Sequence, residues 1–153
     1  SGCLPMCGHG LIGTLTVLLE EGLITPKKEG QLGVETPAGL VVVSYEKRGS
    51  KVTGVKFTNV PAFLAASDLE IECPDLGPLK IDVSYGGNFY AIVDIQENFK
   101  GIAAYTAGEL IGWSRSIRKQ INAKFNFEHP LDEKISGCSH VLWGGKPTQK
   151  VAT

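Results

Sequence analysis

Met6-Cys7-Gly8-His9-Gly10-Leu11-Ile12-Gly13-Thr14-Leu15-Thr16-Val17-Leu18-Leu19 decides how this chain is read. A thiol stands where glycine-rich sequence turns into an apolar run that meets no acidic or basic residue until Glu20. The run reads as a helix from about Gly8 to Glu21, stopped by Gly22. Being apolar on nearly every face, such a helix must be surrounded by other structure. Its first turn has N–H groups without intrahelical acceptors, at the positive end of the macrodipole. Groups of that kind hold anions and favour a neighbouring thiolate over the thiol. Cys7 is therefore a candidate base, and the amides of Gly8 and His9 a candidate nest for a small carboxylate. That pairing suits removal of a proton from the α-carbon of an amino acid. The plain alternatives are a buried structural cysteine at 7 and a solvent-exposed helix-start histidine at 9.

Strand signals follow outward from this helix. Gln31–Thr36 and Leu40–Lys47 flank Pro37-Ala38-Gly39, a hairpin turn, and Arg48-Gly49-Ser50 leads into a third strand over Lys51–Asn59. Leu69–Glu72, Leu79–Tyr85 and Asn88–Ile95 read as three more, the last pair separated by Gly86-Gly87. Thr106 and Glu109 have the spacing of a capping box, and Leu110, Trp113, Ile117 and Ile121 continue at helical spacing. A last strand covers about Ser139–Trp143 and ends at Gly144-Gly145. Several antiparallel strands with one apolar helix predict an α+β fold: a curved sheet wrapped around that helix, with the second helix outside.

At 153 residues, 42% hydrophobic and 20% charged, the chain has the composition of an ordinary soluble domain. A formal charge of −1 gives no general attraction to nucleic acid or to an anionic membrane. The apolar run after Cys7 is about half the ~18 residues of a spanning helix and lacks a signal peptide's basic flank. A cytoplasmic protein is the default expectation. Cys3, Cys7, Cys73 and Cys138 read as free thiols in a reducing compartment. A zinc site drawn from Cys3, Cys7, His9 and His140 is the competing use of these residues, although no second Cys-x-x-Cys follows. No nucleotide-binding glycine motif or cofactor-anchoring lysine context is present, so no cofactor is expected.

Three blocks of sequence resemble the proline racemase and 4-hydroxyproline epimerase family: Leu4-Pro5-Met6-Cys7-Gly8-His9-Gly10, Tyr85-Gly86-Gly87-Asn88-Phe89-Tyr90-Ala91-Ile92-Val93-Asp94, and Ser139-His140-Val141-Leu142-Trp143. The resemblance implies a lobe like that of diaminopimelate epimerase, with residues 1–153 as a single lobe of a two-lobe enzyme, truncated at both ends. It implies Cys7 as one of two catalytic bases, and Gly8, His9 and His140 as substrate-binding residues. The second cysteine of the family lies in an Asp-x-x-x-Cys-Gly-Thr-Gly motif that this sequence does not contain.

The partners implied are a small-molecule substrate (4-hydroxyproline or proline) and the missing second lobe, with a homodimer as a further candidate assembly. Cofactor-independent 4-hydroxyproline 2-epimerase is the leading expectation, and proline racemase and trans-3-hydroxyproline dehydratase are the alternatives within the family. A catalytically inert fragment and a small zinc module are the alternatives outside it. A lone strand histidine such as His140 is otherwise a core residue, and His129 reads as a loop residue. Phe89 is a weak candidate for covering a substrate ring, and Trp113 and Trp143 read as core aromatics. Gly144 stands where the family often carries a threonine.

Overall fold

The computed structural model describes residues 4–147. The chain divides into two compact units, Ser1–Pro61 and Ala62–Thr153. The break falls at a proline, which has no N–H with which to continue a strand ladder. The α+β class holds. The strands form a three-stranded, a four-stranded and a two-stranded sheet, and each of the two larger ones is packed with a helix of its own.

The first unit is built on helix α1, Gly8–Glu20, and an antiparallel sheet of β1 (Gln31–Thr36), β2 (Gly39–Arg48) and β3 (Lys51–Thr58) in the order β1-β2-β3. Leu11, Leu15 and Leu19 recur every fourth residue and so share one face, which is buried. Met6, Val41 and Val43 form one core with Leu11 and Leu15, with Leu32, Val34, Val55 and Phe57 packed around it. Burying each leucine stabilises by roughly 1.5–3 kcal/mol. On the opposite side of the helix Ile12 and Val17 are exposed among the described residues. Three strands cover only one side of a cylinder ~10 Å across.

The helix ends as its sequence predicts. Gly22 takes φ +65°, and the N–H of Leu23 donates back to the carbonyl of Leu18 at 2.9 Å, a Schellman closure. Lys47 Nζ donates to the carbonyl of Leu19, and Glu20 accepts from Lys51 Nζ and from the N–H of Val52. The β2–β3 hairpin thus grips the C-terminal end of α1. At the other end, the N–H of Ala38 in the β1–β2 turn donates to the carbonyl of Pro5, two residues before the thiol.

The second unit has a four-stranded sheet in the order β4-β5-β6-β9: β4 (Phe63–Cys73), β5 (Gly77–Tyr85), β6 (Phe89–Val93) and β9 (Cys138–Trp143). The first three are antiparallel neighbours, whereas β9 runs parallel to β6. Parallel neighbours need a crossover, and helix α2, Ala107–Lys124, supplies it. Trp113, Ile117 and Ile121 form its buried face, packed on β4 and β9. Trp113 is a core aromatic as expected, whereas Trp143 is only half-buried; the two are flanked by Phe99 and Tyr105 and anchored by Asp75 and Ser114 respectively.

A short hairpin, β7 (Glu128–His129) with β8 (Asp132–Ser136), has no counterpart in the sequence reading, its strands being too short and polar to show alternation. Strand β4 begins six residues before Leu69, the start expected, because bulges at Leu64/Ala66 and Ala66/Leu69 break its period of two. Asp68 sits in one of these at φ 53°. The chain after β9 passes close to Asp94: a Cβ on Gly144 would lie 2.8 Å from its Oδ1. That approach gives a physical reason for glycine where the family often has threonine.

Candidate active site

Cys7 is the N-cap of α1, with extended backbone (φ −136°, ψ 105°), and its carbonyl accepts the first helical hydrogen bond from Leu11 at 2.9 Å. Its side chain is exposed, and Sγ accepts from the N–H of Gly10 at 3.4 Å. Gly8 and His9 occupy the first two helical positions, whose N–H groups have no acceptor within the helix. The thiol and the two amides expected to form the nest therefore share a single turn. His9 is exposed beside them.

Phe57 of β3 bears directly on this turn, since a Cβ on Gly8 would lie 3.1 Å from its Cζ. Glycine at 8 lets the sheet approach the helix start closely. An open recess of ≈ 280 Å³ runs past Cys7, lined also by Pro5, Met6, Gly10, Thr14 and Thr36.

His140 belongs to the second unit, on β9, so the structure groups Cys7, Gly8 and His9 in one unit and His140 in the other. It is half-buried, its ring stacks on Tyr90 at 5.1 Å, and its Nδ1 is 2.8 Å from Ser139 Oγ. It borders an open recess of ≈ 270 Å³ with Ser114, Arg115, Arg118, Ser139 and Val141. Ser139 and Tyr90 lie in two of the three blocks that carry the family resemblance, but no role is read from sequence for either. Their signal is only that they flank His140 in the strand and in its β6 neighbour.

The other candidates resolve differently. Phe89 is 2% exposed, packed against Phe63, Tyr85 and Phe127, and so is a core residue rather than a cover for a ligand ring. His129 is not in a loop but in β7, its ring 4.7 Å from that of Tyr85. Cys73 and Cys138 are buried free thiols. Burial, reinforced by Asp75 and Glu72, pushes Cys73 up to about 11, and burial also raises Cys138. Cys3 lies outside the described residues, and with it the zinc reading. Among the described residues no group of three or more His, Cys, Asp and Glu is placed to hold a metal ion. No described helix is long and apolar enough to cross a membrane.

Comparison with known proteins supplies the family. The model of the proline racemase family matches residues 1–153, and the chain belongs to that family. It is 58% identical over 147 residues to 4-hydroxyproline 2-epimerase 2 of Brucella anthropi, covering 96% of this chain and 44% of the relative. Its fold is similar to a probable proline racemase from Agrobacterium radiobacter with bound carbonate (TM-score 0.77, 34% identity, 90% of this chain and 41% of that one). A hydroxyproline epimerase from Agrobacterium vitis with bound trans-4-hydroxy-L-proline is equally similar in fold (TM-score 0.77, 31% identity, the same coverage). The chain thus spans less than half the length of these relatives.

Proposed function

We propose that this chain serves a cofactor-independent 4-hydroxyproline 2-epimerase and supplies the Cys7 half of a two-base site. The observation that carries the reading is the exposed Cys7 thiol at the N-cap of α1, in the same turn as the first-turn amides of Gly8 and His9. The 58% identity to a 4-hydroxyproline epimerase supports the substrate. In this mechanism the substrate carboxylate lies on the two amides and the Cys7 thiolate takes the α-proton. The electron pair released from the C–H bond moves into the carboxylate, where the preorganised N–H groups stabilise it. An acid on the opposite face returns a proton to the α-carbon and inverts it. That acid comes from a second lobe and not from the residues described here. His140 is assigned a substrate contact on the family resemblance. The cytoplasm is the compartment we assign, supported by the free thiols at Cys7, Cys73 and Cys138.

The test transplants this chain into the Brucella anthropi enzyme in place of the 147 residues it matches. The transplant is expected to convert trans-4-hydroxy-L-proline to its C2 epimer, and the 153-residue chain alone to give no turnover. Cys7→Ala in the transplant removes a general base and is expected to lower the rate about 10²–10⁴-fold. Equal turnover by the isolated chain would overturn the two-half reading. So would an active Cys7→Ala transplant.

A further inference from the structure

Ser139 occupies an unusual position in the sheet. Across the parallel pair, Phe89 faces Cys138 and Tyr90 faces His140, so two steps on β9 oppose one on β6 and Ser139 is the extra residue of a bulge. The bulge is tied down on every side. Asn122 of α2 donates to the carbonyl of Cys138 and accepts from its N–H, and Arg118 Nη1 donates to the carbonyl of Ser139 at 3.2 Å. Cys138 Sγ donates to the carbonyl of His140. Bulges re-aim side chains, and this one turns the Ser139 hydroxyl between the Phe89 carbonyl (3.2 Å) and His140 Nδ1 (2.8 Å).

A hydroxyl has one proton and a carbonyl has none. If the Ser139 proton goes to Phe89, the closer contact with Nδ1 needs a proton on the ring nitrogen. We propose that Ser139 is a positioning residue that holds His140 as its Nδ1–H tautomer and leaves Nε2 as a bare acceptor. The ligand this suits carries a donor, a ring N–H or a hydroxyl, whereas a carboxylate would meet a lone pair. Its identity as hydroxyproline rests on the function proposed above; the tautomer does not. The stack on Tyr90 fixes the ring plane, so the acceptor direction is fixed too.

The chain carries its own control. His129 Nδ1 accepts from the N–H of Leu131 at 3.3 Å, which makes His129 the opposite, Nε2–H, tautomer. The experiment is long-range ¹H–¹⁵N correlation on the 153-residue protein with ¹⁵N-labelled histidine rings, at about pH 9 where imidazoles are neutral. His9→Gln and His140→Gln variants assign the signals. His140 is expected to show its protonated nitrogen at Nδ1 and His129 at Nε2. In Ser139→Ala the His140 proton moves to Nε2, the preference of free histidine, while His129 is unchanged and reports that the fold is intact. Ser139→Thr keeps the wild-type pattern.

A wild-type His140 protonated at Nε2 would overturn the inference whatever the variants do. A Ser139→Ala protein that stays Nδ1–H would do the same. In the transplanted epimerase Ser139→Ala is expected to raise KM about 10-fold, the size of one hydrogen bond, with Thr restoring it. Because the tautomer is read without substrate, it and the epimerase reading fail separately.

Discussion

The two helices begin in opposite ways. At α2, Thr106 Oγ1 accepts from the N–H of Glu109, and the Glu109 carboxylate accepts from the N–H of Thr106 at 2.7 Å. Glu109 places an acid in the first turn and Lys124 a base in the last. At α1 there is no acid in the first turn and no base in the last, and the cap is a sulfur at 3.4 Å. Two of its first three residues are glycine, each costing ~1 kcal/mol of helix propensity relative to alanine. One N-terminus answers its own amides with two oxygen-bearing side chains, and the other with one long sulfur contact, which fits the anion nest proposed above. The first arrangement stabilises a helix, whereas the second suits a site.

The largest effect expected from this contrast is in thiol chemistry. Cys7 is exposed at the open helix start, whereas Cys73 is buried and pushed up to about 11 and Cys138 is buried and raised. At pH 8 a thiol near 11 is ionised to only about one part in 10³, and the thiolate is the reactive form. Iodoacetamide with peptide mapping should label Cys7 at least ~10²-fold faster than either buried thiol. Comparable labelling of Cys138 in folded protein would remove the distinction between an open and a closed environment.

The sequence made much of this contrast readable, and for definite reasons. The capping box at Thr106 and Glu109 is a local motif with fixed spacing, so α2 was legible along with its buried Trp113, Ile117 and Ile121. Strands β1 and β2 were legible from the alternation that sets Val41 and Val43 inward. Cys7, Gly8 and His9 were legible because a helix start is a contiguous stretch. The division at Pro61 was not, because which strands pair is a long-range property that periodicity does not carry. The role of Ser139 was invisible for the same reason: it comes from a bulge against Phe89, 50 residues away in sequence. Phe89, a weak candidate for a ligand cover on the family resemblance of its block, is carried into the core by its strand.

A smaller effect should follow from breaking the closed terminus. Thr106→Ala removes the cap of α2 and is expected to lower unfolding stability by ~1 kcal/mol, measured in urea. If the loss were near zero, α2 would owe nothing to its capping box, and the contrast with α1 would lose its energetic meaning.

Acid sharpens the same comparison. Hydrogen bonds from the Thr106 side chain and then its N–H hold Glu109 below the ordinary carboxylate value of 4.5. Lys51, then the Val52 N–H, do the same for Glu20. A carboxyl lowered by folding contributes stability above its unfolded value, and that contribution is lost as pH falls through the folded one. Stability should therefore decline as pH drops below about 4.5. Glu20→Gln and Glu109→Gln should each flatten that decline. The two carboxylates sit at opposite ends of their helices, since the acid of α1 is at its C-terminal end, away from Cys7. An acid slope unchanged in both variants would show that neither tie matters to folding.

The smallest effect is the most discriminating. Serine is among the best N-caps, and its oxygen can accept from the Gly10 N–H near the ~2.9 Å of an ordinary hydrogen bond, where sulfur stands at 3.4 Å. Cys7→Ser is therefore expected to raise stability slightly, by ~0.5 kcal/mol, and Cys7→Ala to lower it by a similar amount. Both variants lose the thiolate, so both should lose labelling at this position and, in the transplanted enzyme, turnover. A protein made more stable by the change that removes its chemistry is what a site held short of its best cap predicts. If Cys7→Ser were instead less stable than Cys7→Ala, the sulfur would be the better cap at this position. The open N-terminus of α1 would then be a structural preference and not a concession to substrate.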